Sequence, residues 1–157
     1  MKSARSRAAH LITVSAFLFA CANSAESKVH SEVASSSQGF SKEESSFVVT
    51  ATVPQSVTTG SMAKVRVTVK SKPGWKLNQD FPTKLVVEAP AGVTLVKAVQ
   101  RKGDAVHFSE KKGEFDVSFT TSGKGDKKFA GTFKFAVCTD KSCDPKKVPL
   151  AWVVTVE

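Results

Sequence analysis

From residue 47 to the C-terminus, short runs with a two-residue period are interrupted at intervals of roughly ten residues by glycine, proline or asparagine. That rhythm limits the fold more than any other feature. A period of two sends alternate side chains to opposite faces of a strand, so each run can bury one face only within a sheet. The clearest case is AKVRVTVKS (63–71). It puts Val65, Val67 and Val69 on one face and Lys64, Arg66, Thr68 and Lys70 on the other. FVVTATVP (47–54), TKLVVEAP (83–90), VTLVKAVQ (93–100), AVHFSE (105–110), EFDVSFTT (114–121), KFAGTFKFAVC (128–138) and VPLAWVVTVE (148–157) read as further strands. Pro-Gly at 73–74, APAG at 89–92, KKG at 111–113 and SGKGD at 122–126 supply the turns.

No stretch of this region carries a helical period. About seven to nine short strands over residues 47–157 therefore predict an all-β, immunoglobulin-like antiparallel sandwich rather than a βαβ fold. Antibody domains tie their two sheets together with a long-range disulfide, but the two cysteines here sit close together at 138 and 143. The core must then rest on packing. Eleven Phe, two Trp and many Val supply it, each large side chain contributing about 1.5–3 kcal/mol when fully buried.

The first residues follow a different logic. Lys2, Arg5 and Arg7 form a basic stretch without acids, residues 11–20 are apolar, and small residues follow. This is the layout of an export signal, and the apolar run is too short for a mature membrane span. LFAC (18–21) is similar to a lipobox. That reading makes residues 1–21 the signal and Cys21 a lipidated residue. The competing reading is ordinary cleavage after Ala22. Lipidation of Cys21 accounts for the odd count of three cysteines. Residues 22–46 are serine-rich, sparse in apolar side chains and without a period, and so are expected to form a flexible tether. The expected location is periplasmic, held by the lipid to a bacterial membrane, the outer one in preference, with the lipid as the only membrane contact.

Formal net charge is +9, of which the signal supplies three. Its lysines are spread along strands and turns, where they aid solubility and discourage edge pairing. There is no arginine-rich block, and no nucleic-acid partner is expected. Metal sites fare no better. The domain offers two thiols and His107, too few for structural zinc, and neither His nor Met follows the cysteines as a copper loop requires. No cofactor is expected. Trp75 and Trp152 read as core residues.

The remaining chemistry lies in FAVCTDKSCDPKKVPL (135–150). In an oxidising compartment Cys138 and Cys143, with four residues between them, are expected to pair across a hairpin. A ring of about six residues stabilises by only about 2 kcal/mol in the chain-entropy model, little for a staple. An exposed short-loop disulfide is also open to thiolate attack. Asp140 and Asp144 oppose Lys141, Lys146 and Lys147 in their effect on the thiols. The residues alone leave staple and redox pair both open.

Phe133, Phe135, Cys138, Cys143, Pro145, Val148, Pro149 and Leu150, taken with VTVKSKPGWKLN (67–78) and LVVEAPAGVTL (85–95), resemble the N-terminal domain of the DsbD family of bacterial thiol–disulfide interchange proteins. The resemblance spans residues 63–157. It implies an immunoglobulin-like domain in which Cys138 and Cys143 are the catalytic exchange pair, acting as the electron-transfer component of a protein-disulfide reductase. It also implies extracytoplasmic thiol–disulfide proteins as partners. Because the chain stops at Glu157, the electron donor is expected to be a separate membrane protein. The domain is expected to be a monomer. Family members cover their cysteines with a cap loop. The matching stretch, 97–108, is basic, and offers Asp104 and Phe108 as cap residues. The alternative function is a non-catalytic binding or assembly module whose disulfide is purely structural.

Overall fold

The computed structural model describes residues 37–157. Eleven strands form: β1 (Phe40–Glu43), β2 (Phe47–Thr52), β3 (Met62–Ser71), β4 (Lys76–Leu77), β5 (Lys84–Glu88), β6 (Val93–Leu95), β7 (Val99–Arg101), β8 (His107–Phe108), β9 (Lys112–Thr121), β10 (Gly125–Cys138) and β11 (Cys143–Val156). One 3-10 turn, Lys102–Asp104, follows β7. Two antiparallel sheets face each other. One runs β1-β2-β3-β9-β6 with β8 on β9; the other runs β11-β10-β5-β7 with β4 on β10. Within these, β2-β3-β9-β6 against β11-β10-β5 matches the ABED and GFC strand order of the immunoglobulin fold, with β7 added at the β5 edge.

The two-residue period appears directly as burial. In β9 every second residue from Gly113 to Thr121 is buried. Val65, Val67 and Val69 are fully buried, as are Phe115, Val117 and Phe119 across the ladder. Phe133 sits centrally, with ring centroids 5.4 Å from Phe115 and 5.1 Å from Phe135. Trp152 is buried and stacks on Phe129, whereas Trp75 is only half-buried at the core margin.

Four expectations need correction. First, the expected tether (22–46) overlaps the domain. Gln38 exchanges backbone hydrogen bonds with Val153, and β1 pairs with β2. Gly39 makes this possible, since a Cβ there would lie 2.7 Å from the Ala51 carbonyl oxygen. The serine-rich composition hides a strand that contributes little beyond Phe40 to the core. Residues 22–36, the signal and Cys21 lie outside the described residues.

Second, VTLVKAVQ (93–100) is two strands in opposite sheets. β6 pairs with β9, and β7 pairs with β5. The chain crosses between sheets at Val96–Ala98, where the exposed Val96 breaks the apolar alternation. Third, β11 begins at Cys143 rather than at 148, so Cys143 belongs to the strand.

The outer edge of β11 explains the two prolines near it. Val153 directs its N–H and C=O away from β10, toward Gln38. The same parity turns the backbone nitrogens of residues 145, 147 and 149 outward along the unpaired part of the edge. Pro145 and Pro149 occupy two of these positions and remove the donors another strand would need. The fourth correction concerns the cap and is given with the site.

Candidate functional site

Strands β10 and β11 pair residue for residue from Gly125↔Val156 to Cys138↔Cys143. Thr139 N–H donates to the Ser142 carbonyl at 2.8 Å, closing a loop whose tip is Asp140-Lys141. The Thr139 hydroxyl accepts from the N–H groups of Lys141 and Ser142, which holds the tip in shape. Cys138 and Cys143 therefore occupy the non-hydrogen-bonded pair next to the loop, where facing side chains lie closest. Their Cα atoms are 4.0 Å apart and the sulfurs are bonded. Cys138 is half-buried; Cys143 is exposed.

A third residue completes the site. Leu77 pairs with Val137 and Lys76 with Cys138, which docks β4 on the other side of β10. The chain then turns at Asn78, whose backbone N–H donates to the Ala136 carbonyl at 2.9 Å. The Asn78 side-chain oxygen accepts from the backbone N–H groups of Asp80 (2.8 Å) and Phe81 (3.0 Å), an Asx turn. With that oxygen occupied, the amide nitrogen must point the other way. It donates to Cys138 Sγ at 3.4 Å and to Cys143 Sγ at 3.5 Å. An amide donor fixed beside a disulfide is placed to donate to the sulfur that becomes a thiolate when the bond breaks, which stabilises its negative charge.

The nearby charges are largely engaged. Lys146 Nζ lies 2.7 Å from the Asp144 carboxylate and 3.5 Å from Glu44, and sits over the Phe47 ring. The hydrogen bond to Asp144, with Glu44 adding to it, raises the Lys146 pKa. Glu44 is lowered, chiefly by its hydrogen bond to Lys42. Lys76 approaches Asp140 to 3.7 Å across open solvent. Of the lysines weighed against the cysteines in the sequence, Lys141 and Lys147 stay exposed, whereas Lys146 is drawn into its own acid cluster.

Asp104 and Phe108 do not cap the pair. Asp104 accepts from Lys97 Nζ at 2.6 Å and from the Arg101 backbone N–H at 2.8 Å, which hold its carboxyl below the usual range. Phe108 packs edge-on against Phe115, 6.3 Å between centroids, over the gap left by Gly113. Both side chains are spent on local structure. The residues beside the cysteines are instead those of 76–78, through the pairing of Lys76 with Cys138 and the Asn78 amide; Gln79 follows and meets the 3-10 turn. Lys102 Nζ bridges the two by donating to the Gln79 carbonyl. The resemblance spans 67–78 but gives Asn78 no role. The Asn-x-Asp-Phe-Pro run (78–82) does signal an Asx turn, though not what its amide faces. His107 is exposed, with Ser109 Oγ at 3.2 Å. Among the described residues no three His, Cys, Asp or Glu side chains converge on a metal position.

Comparison with known proteins gives neither a family nor a function. No family model matches the chain, and no curated protein matches it. Solved structures with some likeness include the GAE domain of GGA2p from Saccharomyces cerevisiae, at 4% identity and a TM-score of 0.43. That match covers 72% of this chain and 96% of the GAE domain chain. Another is domains 4 and 5 of the S-layer protein SbsC, at 16% identity and a TM-score of 0.32; it covers 75% of this chain and 53% of that one.

Proposed function

We propose that this is an exported thiol–disulfide exchange domain of the DsbD N-terminal type, working through Cys138 and Cys143. The observation that carries the reading is the Asn78 amide, oriented by its Asx turn onto both sulfurs of an exposed hairpin disulfide. A staple has no use for such a donor. Nor does this hairpin depend on a staple, since thirteen residue pairs join β10 and β11 besides Cys138↔Cys143.

On this reading the roles follow exposure. A partner thiolate attacks Cys143 Sγ, the accessible sulfur; the Cys138–Cys143 bond breaks, and its electron pair stays on Cys138 as a thiolate beside Asn78. The mixed disulfide at Cys143 is then resolved in one of two ways. If a second partner thiol attacks the partner's sulfur, Cys143 is released and the domain is left reduced. If Cys138 returns, the starting disulfide is restored. In the opposite direction the reduced Cys143 attacks a partner disulfide and passes on two electrons. The proposed setting is extracytoplasmic, with lipid on Cys21, a membrane electron donor and extracytoplasmic thiol–disulfide proteins as partners.

The test is trapping. In a Cys138→Ser variant, reduced Cys143 lacks its resolving thiol and should accumulate a mixed disulfide with a thioredoxin-like protein whose resolving cysteine is removed and whose remaining cysteine carries thionitrobenzoate; Cys143 attacks that cysteine's sulfur and thionitrobenzoate leaves as the thiolate. A Cys143→Ser variant should trap far less. If neither variant traps the partner, and the double Cys→Ser variant keeps the biological function, the disulfide is structural and the domain is a binding or assembly module.

A further inference from the structure

The outer face of the sheet that carries the cysteines also carries a row of cations fixed by register. Lys147 pairs with Lys134, Lys134 with Lys84, and Lys84 with Arg101, which places one cation on each of β11, β10, β5 and β7. All four side chains point outward, because the neighbours Val148, Phe133, Phe135, Leu85 and Gln100 are buried inward. Like charges directly opposite one another on a sheet are destabilising. Among the described residues none of the four forms an ion pair. Asp104, which feels the Arg101 charge, is held by Lys97 and the Arg101 backbone, and Asp80 borders the cleft at the end of the row. Glu88, on the same face of β5, lies four residues beyond Lys84, away from the cysteines.

The row is close to the disulfide. Cys138 and Lys134 share a face of β10, and Cys143 and Lys147 share the same face of β11, about 13 Å along each strand. At the β7 end the row meets an open cleft of about 550 Å³ lined by residues 79–84 and 101–103. Lys84, Arg101 and Lys102 border it with Asp80 and Gln79. The segment that forms one wall begins at Asn78, on the sulfurs.

We propose that this face is the docking surface for an acidic protein partner, whose carboxylates lie along the cation row and enter the cleft while its thiol reaches Cys143. The inference rests on the exchange reading for the position of the thiol, but the charge recognition stands independently of it. A protein fits better than an anionic bilayer because the cleft is concave and offers hydrogen-bonding groups at side-chain scale. Cationic rims of this kind raise encounter rates about tenfold or more at low ionic strength.

Two probes keep the readings apart. The first is a cysteine-free peptide bearing four aspartates, titrated into the full chain and followed by amide resonances. Shifts at Lys84, Arg101, Lys134 and Lys147 are expected, lost in a Lys134→Glu/Lys147→Glu variant and abolished near 0.5 M salt, where the screening length falls to about 4 Å. The second joins four aspartates to a cysteine through a spacer of about four residues, long enough for ~13 Å. It should reduce the disulfide about tenfold faster than its lysine counterpart at low salt, and the charge-reversal variant should invert that order. The rate with neutral 2-mercaptoethanol should be the same in both proteins. Absence of aspartate-peptide shifts overturns the proposal, as does their survival in the variant. So does binding of phosphatidylglycerol vesicles through these lysines without any response to the peptide. If the shifts appear but no thiol reduces the disulfide, docking stands and the exchange reading fails.

Discussion

Replacing Asn78 tests the one interaction that separates a working disulfide from a staple. In Asn78→Ala the amide donor is gone, and the thiolate formed at Cys138 loses its hydrogen bond. Hydrogen bonds to charged groups contribute about 1.5–3 kcal/mol. Cys138 is half-buried and the donor distance is 3.4 Å, so the lower end applies. At 1.36 kcal/mol per unit, the Cys138 thiol pKa should rise by about one unit. Asn78→Asp keeps an oxygen for the N–H groups of Asp80 and Phe81, so the turn survives. It also sets a carboxylate near the sulfur. Even in bulk-water dielectric, charges about 3.5 Å apart repel by about 1.2 kcal/mol, bringing the total rise to about two units. The assay is thiolate absorbance against pH in a Cys21→Ser/Cys143→Ser background, where Cys138 is the sole thiol. Reduction of the intact disulfide by a small thiol should slow in the same order, since a leaving thiol of higher pKa leaves more slowly. A Cys138 pKa that moves by less than about 0.3 unit in Asn78→Ala refutes the donor role.

Further outcomes follow from packing and charge. Gly131→Ala would bring a Cβ to 2.6 Å from the Val86 carbonyl oxygen, forcing β5 from β10; a loss of about 2–3 kcal/mol is expected in urea unfolding. Phe133→Ala opens a void among Phe115 and Phe135 and should cost about 3–5 kcal/mol by the same method. Asp116 is paired in register with Arg66, accepts from it at 2.8 and 3.0 Å, and also meets Lys64; these bonds, that to Arg66 first, lower its pKa. A lowered carboxyl pKa gives stability that is complete above the unfolded value, about 3.9, and is lost as pH falls through the folded value. Asp116→Asn should therefore lose about 1 kcal/mol near neutral pH and show a shallower acid-side decline in thermal melts run from pH 6 to pH 2. Equal pH slopes in the two proteins would show that the pair is not linked to folding.

What could be read from the sequence follows from where the information lies. Alternation in β3 and β9 exposes itself because one face is wholly buried, Val65, Val67 and Val69 against Phe115, Val117 and Phe119. β1 does not, because its place depends on Gly39 approaching Ala51 and on one phenylalanine. The crossing at Val96–Ala98 is invisible to periodicity, which reports faces but not which sheet a strand joins. The cysteine pairing was legible because four intervening residues fit a hairpin. Its cover was not. Phe108 suited the cap by type, but Gly113 opposite it offered a seat in the core margin, and Asn78 took the place beside the sulfurs through an Asx turn. The cation row joins positions 84, 101, 134 and 147, which only strand register brings into line.

Equilibration of the Cys138–Cys143 bond in glutathione redox buffers tests the central claim most directly. A disulfide that exchanges with partners should equilibrate with a reduction potential in the range of catalytic pairs, between about −120 and −270 mV. A potential below about −300 mV would mark a structural bond and contradict the account.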